Sequence, residues 1–170
     1  MLLVSLPVKA EYYDTTLLTL FSKILPRVVA LSSLAPEEGK PLNVCIVRQD
    51  VDMPAAEQFV MLLERAAQAH TVKSLQTDFD HIDACKDATL VFVFDTPRKT
   101  DADTFVKLTN LPAIVAAYDT RLLEQGADVS LFVGRSVMPY LNLKSLRKKD
   151  IRLNAQLLRV SKPYGQEPAQ

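Results

Sequence analysis

The chain of 170 residues has no tryptophan, only four glycines, two cysteines and two histidines, and each shortage removes a class of function. Folds that grip a pyrophosphate do so with a glycine-rich turn between a strand and a helix, where backbone amides can approach the ligand. Gly39, Gly126, Gly134 and Gly165 form no such turn, and the segment after the first expected strand reads Arg48-Gln49-Asp50-Val51-Asp52-Met53-Pro54. A dinucleotide cofactor is therefore not expected, and no other cofactor is called for. The carboxyl edge of a sheet could still hold a small anion. Catalysis lacks its usual signatures, with neither a nucleophile elbow nor an HExxH motif, so no catalytic residue is assigned and an enzyme is the least favoured class.

The two histidines do not alter this. His70 reads as an exposed residue at a polar helix end. His81 and Cys85 are four apart, with Asp78 nearby, and would share a face if helical. Two soft ligands fall short of the usual three or four, and a polar loop is the simpler reading. Long apolar runs are missing as well: none approaches the roughly 18 residues of a membrane span. The twenty basic and twenty acidic residues cancel, which argues against a nucleic-acid partner. The balance is uneven, since seven basic residues from Lys144 onward face only Asp150 and Glu167. That end is either a solvated helix face or a contact for an acidic partner or anionic headgroups.

What is present is a regular alternation of strands and helices. Asp14 can cap a helix running toward Ala30 on the stripe Leu17, Leu20, Phe21, Ile24, Leu25 and Val28, which Pro26 should kink or end. Leu42 to Val47 reads as a central strand and Ala55 to Ala69 as an amphipathic helix. Strands at Thr71 to Leu75, Thr89 to Phe94 and Ala113 to Ala117 follow, with a helix at Asp101 to Leu108 and a short one at Thr120 to Gln125. The fold class is α/β: a mostly parallel, Rossmann-like sheet with flanking helices. Val129 to Leu141 then reads as a C-terminal antiparallel hairpin, with Gly134 opening a two-residue type II′ turn and Pro139 placing its strand at an edge. Asn142 and Asn154 can cap two further helices, the second carrying Leu157, Leu158 and Val160 and closed by Pro163.

The opening residues MLLVSLPVKA end on Val8-Lys9-Ala10, as the tail of a secretory signal would, though without the charged leader; a buried strand or frayed end is the other reading. Residues 1–10 are thus read as a signal remnant, 11–163 as one α/β domain and 164–170 as a flexible tail. Cys45 and Cys85 are even in number in a chain read as exported, which suggests a disulfide; two buried free thiols are the alternative.

The order hairpin, Asn142-Leu143, basic helix, and Ile151 to Val160 (Ile-x-Leu-Asn-x-x-Leu-Leu-x-Val) resembles the C-terminal signature of the YfiR family. The amphipathic first helix is similar too, although the family's frequent Trp-Pro is replaced by Leu25-Pro26 and Ala35-Pro36. A glycine beside Gly126 is replaced by Ala127-Asp128, and a further cysteine pair is absent. The family places cysteines much as Cys45 and Cys85 stand here. The resemblance implies a periplasmic homodimer that binds the periplasmic portion of an inner-membrane diguanylate cyclase and represses it, lowering cyclic di-GMP and biofilm formation. The partner contact is sought on Phe21, Phe132 and Tyr140, with Arg147 and Lys148 steering. A periplasmic small-molecule sensor acting through a histidine kinase or transporter is the alternative.

Overall fold

A computed structural model describes residues 13–67, 71–94 and 102–165. The expected signal remnant, His70 and the last five residues lie outside them. Seven strands form one sheet in the order β2-β1-β3-β4-β5-β6-β7. These are β1 (Leu42–Val47), β2 (Val72–Thr77), β3 (Leu90–Val93), β4 (Ile114–Ala117), β5 (Val129–Val133), β6 (Val137–Leu141) and β7 (Lys162–Pro163). All neighbouring pairs run parallel except β5 and β6, the expected hairpin. The helices are α1 (Thr15–Ala30), α2 (Met53–Ala66), α3 (Ala102–Thr109), α4 (Leu143–Lys148) and α5 (Ala155–Arg159).

Strands β3 and β4 are buried along their whole length, so their unbroken apolar sequences follow from helices on both faces. On one face α1 and α2 bring Phe21, Leu25 and Phe59 against Val44, Ile46, Phe92 and Ile114. Phe92 is the hub, with ring centroids 5.1 Å from Phe21 and 4.2 Å from Phe59. On the other face Val47, Val91, Val93 and Val115 meet Phe105 and Leu108 of α3, together with Ile82 and Cys85 from a 3₁₀ segment, Phe79–Cys85. Cys45 and Cys85 are joined by a disulfide that ties this segment to β1. The link closes a separation of 40 residues. By the chain-entropy account that contributes about 4 kcal/mol.

Asp14 caps α1, its Oδ1 accepting from the Leu17 amide at 3.1 Å. Pro26 neither ends nor interrupts it: the helix continues to Ala30. Burial of Val28 and Val29 beyond the proline offsets the roughly 3 kcal/mol that an interior proline costs. The hairpin turn also differs from expectation. Val133 pairs with Val137, leaving a three-residue connection, and Gly134 is not in the positive-φ region. Its small size serves packing instead, since a Cβ there would stand 2.9 Å from Cε1 of Phe132. The Pro139 strand is not at the edge as expected, since β7 flanks β6; β7 pairs only with Tyr140 and Leu141, however, so it leaves Pro139 without a partner on that side.

The last helix ends at Arg159, and Pro163 belongs to β7 rather than closing that helix. Within it Leu157 is buried, but Leu158 and Val160 are exposed, because five residues make little more than one turn and only one side faces the sheet. The short helix expected from Thr120 to Gln125 is a 3₁₀ segment over Thr120–Leu123, followed by Gly126 at φ 109°.

Candidate functional site

The part of the chain that departs from a plain parallel sheet is the C-terminal lobe: the hairpin, α4, α5 and β7. A buried ion pair fastens it. Asp128 immediately precedes β5 and is fully buried. Asn142 starts α4, its Oδ1 accepting from the Ser145 amide at 3.1 Å and its Nδ2 donating to the Leu123 carbonyl at 3.0 Å. Ser145 and Lys149 lie four apart and so point from the same side of the helix. The helix ends in a Schellman turn: Ile151 donates its amide to the Leu146 carbonyl and Asp150 donates to Arg147, each at 3.0 Å. Asp150 carries the positive φ of 57° that this turn needs, and Ile151 and Leu146 share the core beneath it. Lys149 is thereby fixed at the C-cap, the residue that follows the helix.

Its ammonium reaches Asp128 Oδ2 and also donates to the Ala113 carbonyl at 2.7 Å. The same Oδ2 accepts from the Val115 amide at 2.8 Å, and Oδ1 accepts from Ser145 Oγ at 2.6 Å. Burial pushes the Asp128 carboxyl above the ordinary carboxylate range, while Lys149, Ser145 and the Val115 amide pull it back. A carboxylate with three matched partners is the arrangement that a buried charge requires. Its effect is to pin α4 and the start of β5 onto β4.

On the disulfide-bearing face of the hairpin, three aromatic rings stand in a row. Phe132 and Tyr140 are 5.5 Å apart and Tyr140 and Tyr164 are 5.4 Å apart, all edge to face. Lys162 places its ammonium 3.7 Å from the centre of the Phe132 ring. Both Phe132 and Tyr140 are half-buried, so each offers one flank to solvent.

The five residues expected at the partner contact are dispersed. Phe21 is 1% exposed and packed between Phe92 and Tyr118, so it is a core residue of this conformation and no surface contact. The apolar stripe of α1 turned inward because the sheet beneath it is itself apolar. Arg147 and Lys148 are exposed on α4, whose Leu143 and Leu146 pack toward the α1 face, whereas Tyr140 packs toward the opposite one. Cys85 is held in the disulfide, and His81 Nδ1 pairs with Asp78 Oδ1 at 2.7 Å. Among the described residues no group of three or more His, Cys, Asp or Glu could hold a metal ion. Also among them, no helix is long and apolar enough to cross a membrane.

Sequence reasoning passed over Asp128, Ser145 and Lys149. The signal was an acidic residue at the head of the apolar run Val129 to Val133, with a hydroxyl and an ammonium spaced by four on the next helix.

Comparison with known proteins gives a family and a fold. The family described as YfiR/HmsC-like matches residues 25–162, which takes in the disulfide, the Asp128–Lys149 pair, and Phe132 and Tyr140 of the aromatic row. No curated protein matches the sequence. A solved structure described as an ABC domain in complex with L-Trp from Streptococcus pneumonia is similar at a TM-score of 0.57 and 12% identity. The match covers 88% of this chain and 60% of that one. A conserved domain protein from Vibrio cholerae is similar at a TM-score of 0.54 and 13% identity, over 88% of this chain and 59% of that one. The chain thus spans about three fifths of each, and at such identities the likeness is one of α/β fold.

Proposed function

The chain belongs to the YfiR/HmsC-like family of periplasmic regulators of cyclic di-GMP signalling, and we propose that it represses an inner-membrane diguanylate cyclase by binding the cyclase's periplasmic portion. The observation that carries this reading is the family match across residues 25–162, which extends through the whole C-terminal lobe. The action is binding rather than catalysis, and it lowers cyclic di-GMP and restrains biofilm formation. Repression requires tighter binding to the inactive arrangement of the cyclase than to the active one, since equal affinity for both shifts nothing. To hold a cyclase 99% inactive that would otherwise be 99% active, the difference must be about 10⁴-fold.

The acting unit on this reading is one domain over residues 11–163, working as a homodimer. The aromatic row offers a contact of the right kind: Phe132 and Tyr140 are rigid, partly exposed and rimmed by Lys162, the composition that favours hot spots in interfaces. Arg147 and Lys148, on the other side of the sheet, act on the rate of encounter and not on the contact itself.

The test is deletion of the gene with measurement of cyclic di-GMP, followed by complementation. Cyclic di-GMP rises on deletion; the intact chain restores it, and Phe132→Ala with Tyr140→Ala restores it poorly although the protein is made and folded. No rise on deletion removes the repressor reading. Full complementation by the double variant moves the contact elsewhere.

A further inference from the structure

Between β1 and β3 the strand order of the parallel sheet reverses, β1 leading to β2 on one side while β3 lies on the other. In open sheets of this kind a crevice forms at that point. Here it is filled by a side chain from outside every helix and strand. Tyr13 is 9% exposed, with its ring edge-on to Phe94 at 4.9 Å and to Tyr118 at 4.8 Å. Phe94 and Tyr118 are the residues that follow β3 and β4. The Tyr13 hydroxyl donates to Asp52 Oδ1 at 2.9 Å, and Asp52, from the turn after β1, is itself 1% exposed. Asp52 Oδ2 accepts from the Gln49 amide at 3.0 Å. One residue on, the Asp14 amide donates to the Tyr118 hydroxyl at 2.8 Å.

We propose that this crevice is a binding slot for a small phenol, occupied in this structure by the chain's own Tyr13 as an intramolecular ligand. Packing alone does not call for the arrangement. A phenylalanine over an apolar residue would fill the same space without burying a carboxylate, and burial of an unpaired carboxylate costs several kcal/mol. Asp52 instead turns the floor of the slot into a site that demands a donor from whatever ring enters. Such a site discriminates between a ring with a hydroxyl and the same ring without one, because the bare ring leaves Asp52 Oδ1 without its hydrogen bond and only the Gln49 amide on the buried carboxylate. Phe94 and Tyr118 supply walls that favour an aromatic ring by the edge-to-face geometry they already adopt with Tyr13. Val51 and Met53, the residues on either side of Asp52 in sequence, are 59% and 38% exposed. The slot is separate from the hairpin contact, and its failure would leave the repressor reading standing.

The experiment uses the full chain and two probes that differ only in the hydroxyl, p-cresol and toluene. Calorimetric titration of Tyr13→Ala gives saturable p-cresol binding at least about tenfold tighter than toluene, and about tenfold tighter than p-cresol binding to the unaltered protein, in keeping with one hydrogen bond to a charged group. In the unaltered protein, p-cresol displaces Tyr13 and speeds chymotrypsin cleavage after it, while toluene does not. Equal binding of the two probes overturns the proposal, leaving an apolar cavity only. So does cleavage after Tyr13 that p-cresol leaves unchanged, and that measurement decides if Tyr13→Ala does not fold.

Discussion

Replacing Lys149 with methionine keeps the aliphatic length of the side chain and removes only its charge. In the intact protein the Lys149 side chain is 8% exposed and its partner Asp128 is fully buried. The variant leaves Asp128 with the Val115 amide and the Ser145 hydroxyl as donors, and leaves the Ala113 carbonyl without the lysine's hydrogen bond. Removal of one partner from a buried pair costs about 3–5 kcal/mol, a large share of the stability of a domain this size. The orphaned carboxylate can escape part of that cost by taking up a proton. Its folded pKa is already raised by burial, and loss of the ammonium raises it further. An acid whose folded pKa lies above the unfolded value of about 3.9 stabilises fully below that value and loses the contribution as pH rises through the folded pKa. The deficit of the variant is therefore greatest at neutral pH and shrinks on acidification. Adding Asp128→Asn should return more than half of it, because a neutral amide can accept from Val115 and donate to Ser145 Oγ. Urea unfolding at pH 7 and pH 5 under non-reducing conditions reads all three quantities. A loss under about 1 kcal/mol at pH 7, or a deficit that grows with acid, would refute the reasoning.

The disulfide should raise the urea midpoint by an amount equivalent to about 4 kcal/mol relative to Cys45→Ala/Cys85→Ala, and addition of a reductant to the unaltered protein should remove most of the difference; a gap below about 1 kcal/mol contradicts the chain-entropy account. Asp150→Gly should stabilise by about 1 kcal/mol in thermal unfolding, since glycine takes the positive φ of the Schellman turn without steric cost; an unchanged or lowered midpoint shows that the Asp150 side chain contributes more than its strain.

The order of elements was legible because strand and helix periods differ and because burial on both sheet faces leaves unbroken apolar runs such as Leu90–Val93 and Ile114–Ala117. Caps were legible for a related reason. Asp14, Asn142 and Asn154 each act on an amide two or three residues ahead, so nothing distant can override them. Errors arose where a distant partner decides. Pro26 reads locally as a helix breaker, but the sheet beneath Val28 and Val29 holds the last turn in place. Gly134 reads as a turn residue, yet the ring of Phe132, two positions back on the strand, is what requires it to be small. Phe21 reads from its stripe as core more readily than contact, and its position against Phe92 settles that it is core. The clamp and the Tyr13 crevice were illegible for the same reason, their partners being separated by 21 and 39 positions.

The buried carboxylate of Asp128 stands where the ladder of main-chain bonds is thinnest. Strands β4 and β5 share a single residue pair in register, Ala116 with Val129. Beside that pair the Asp128 amide donates to the Val115 carbonyl at 2.8 Å, and side chains make the rest of the join: Asp128 Oδ2 accepts from the Val115 amide, Ser130 Oγ donates to the Ala117 carbonyl at 2.8 Å, and Lys149 donates to the Ala113 carbonyl. A ladder bond needs only a partner strand, whereas each of these side-chain links needs a particular residue, and those of Asp128 and Lys149 a charge as well. The lobe that carries the aromatic row is thus joined to the parallel half by a seam of few, costly and chemically specific links. Apolar burial in the cores on both faces is insensitive to charge and would persist if those links were broken, so substitutions in the seam should loosen the hairpin and α4 before they unfold the sheet. Amide exchange in Lys149→Met should accordingly quicken in β5 and α4 well ahead of β1 and β3, and uniform quickening across the sheet would show that the seam is no weaker than the rest.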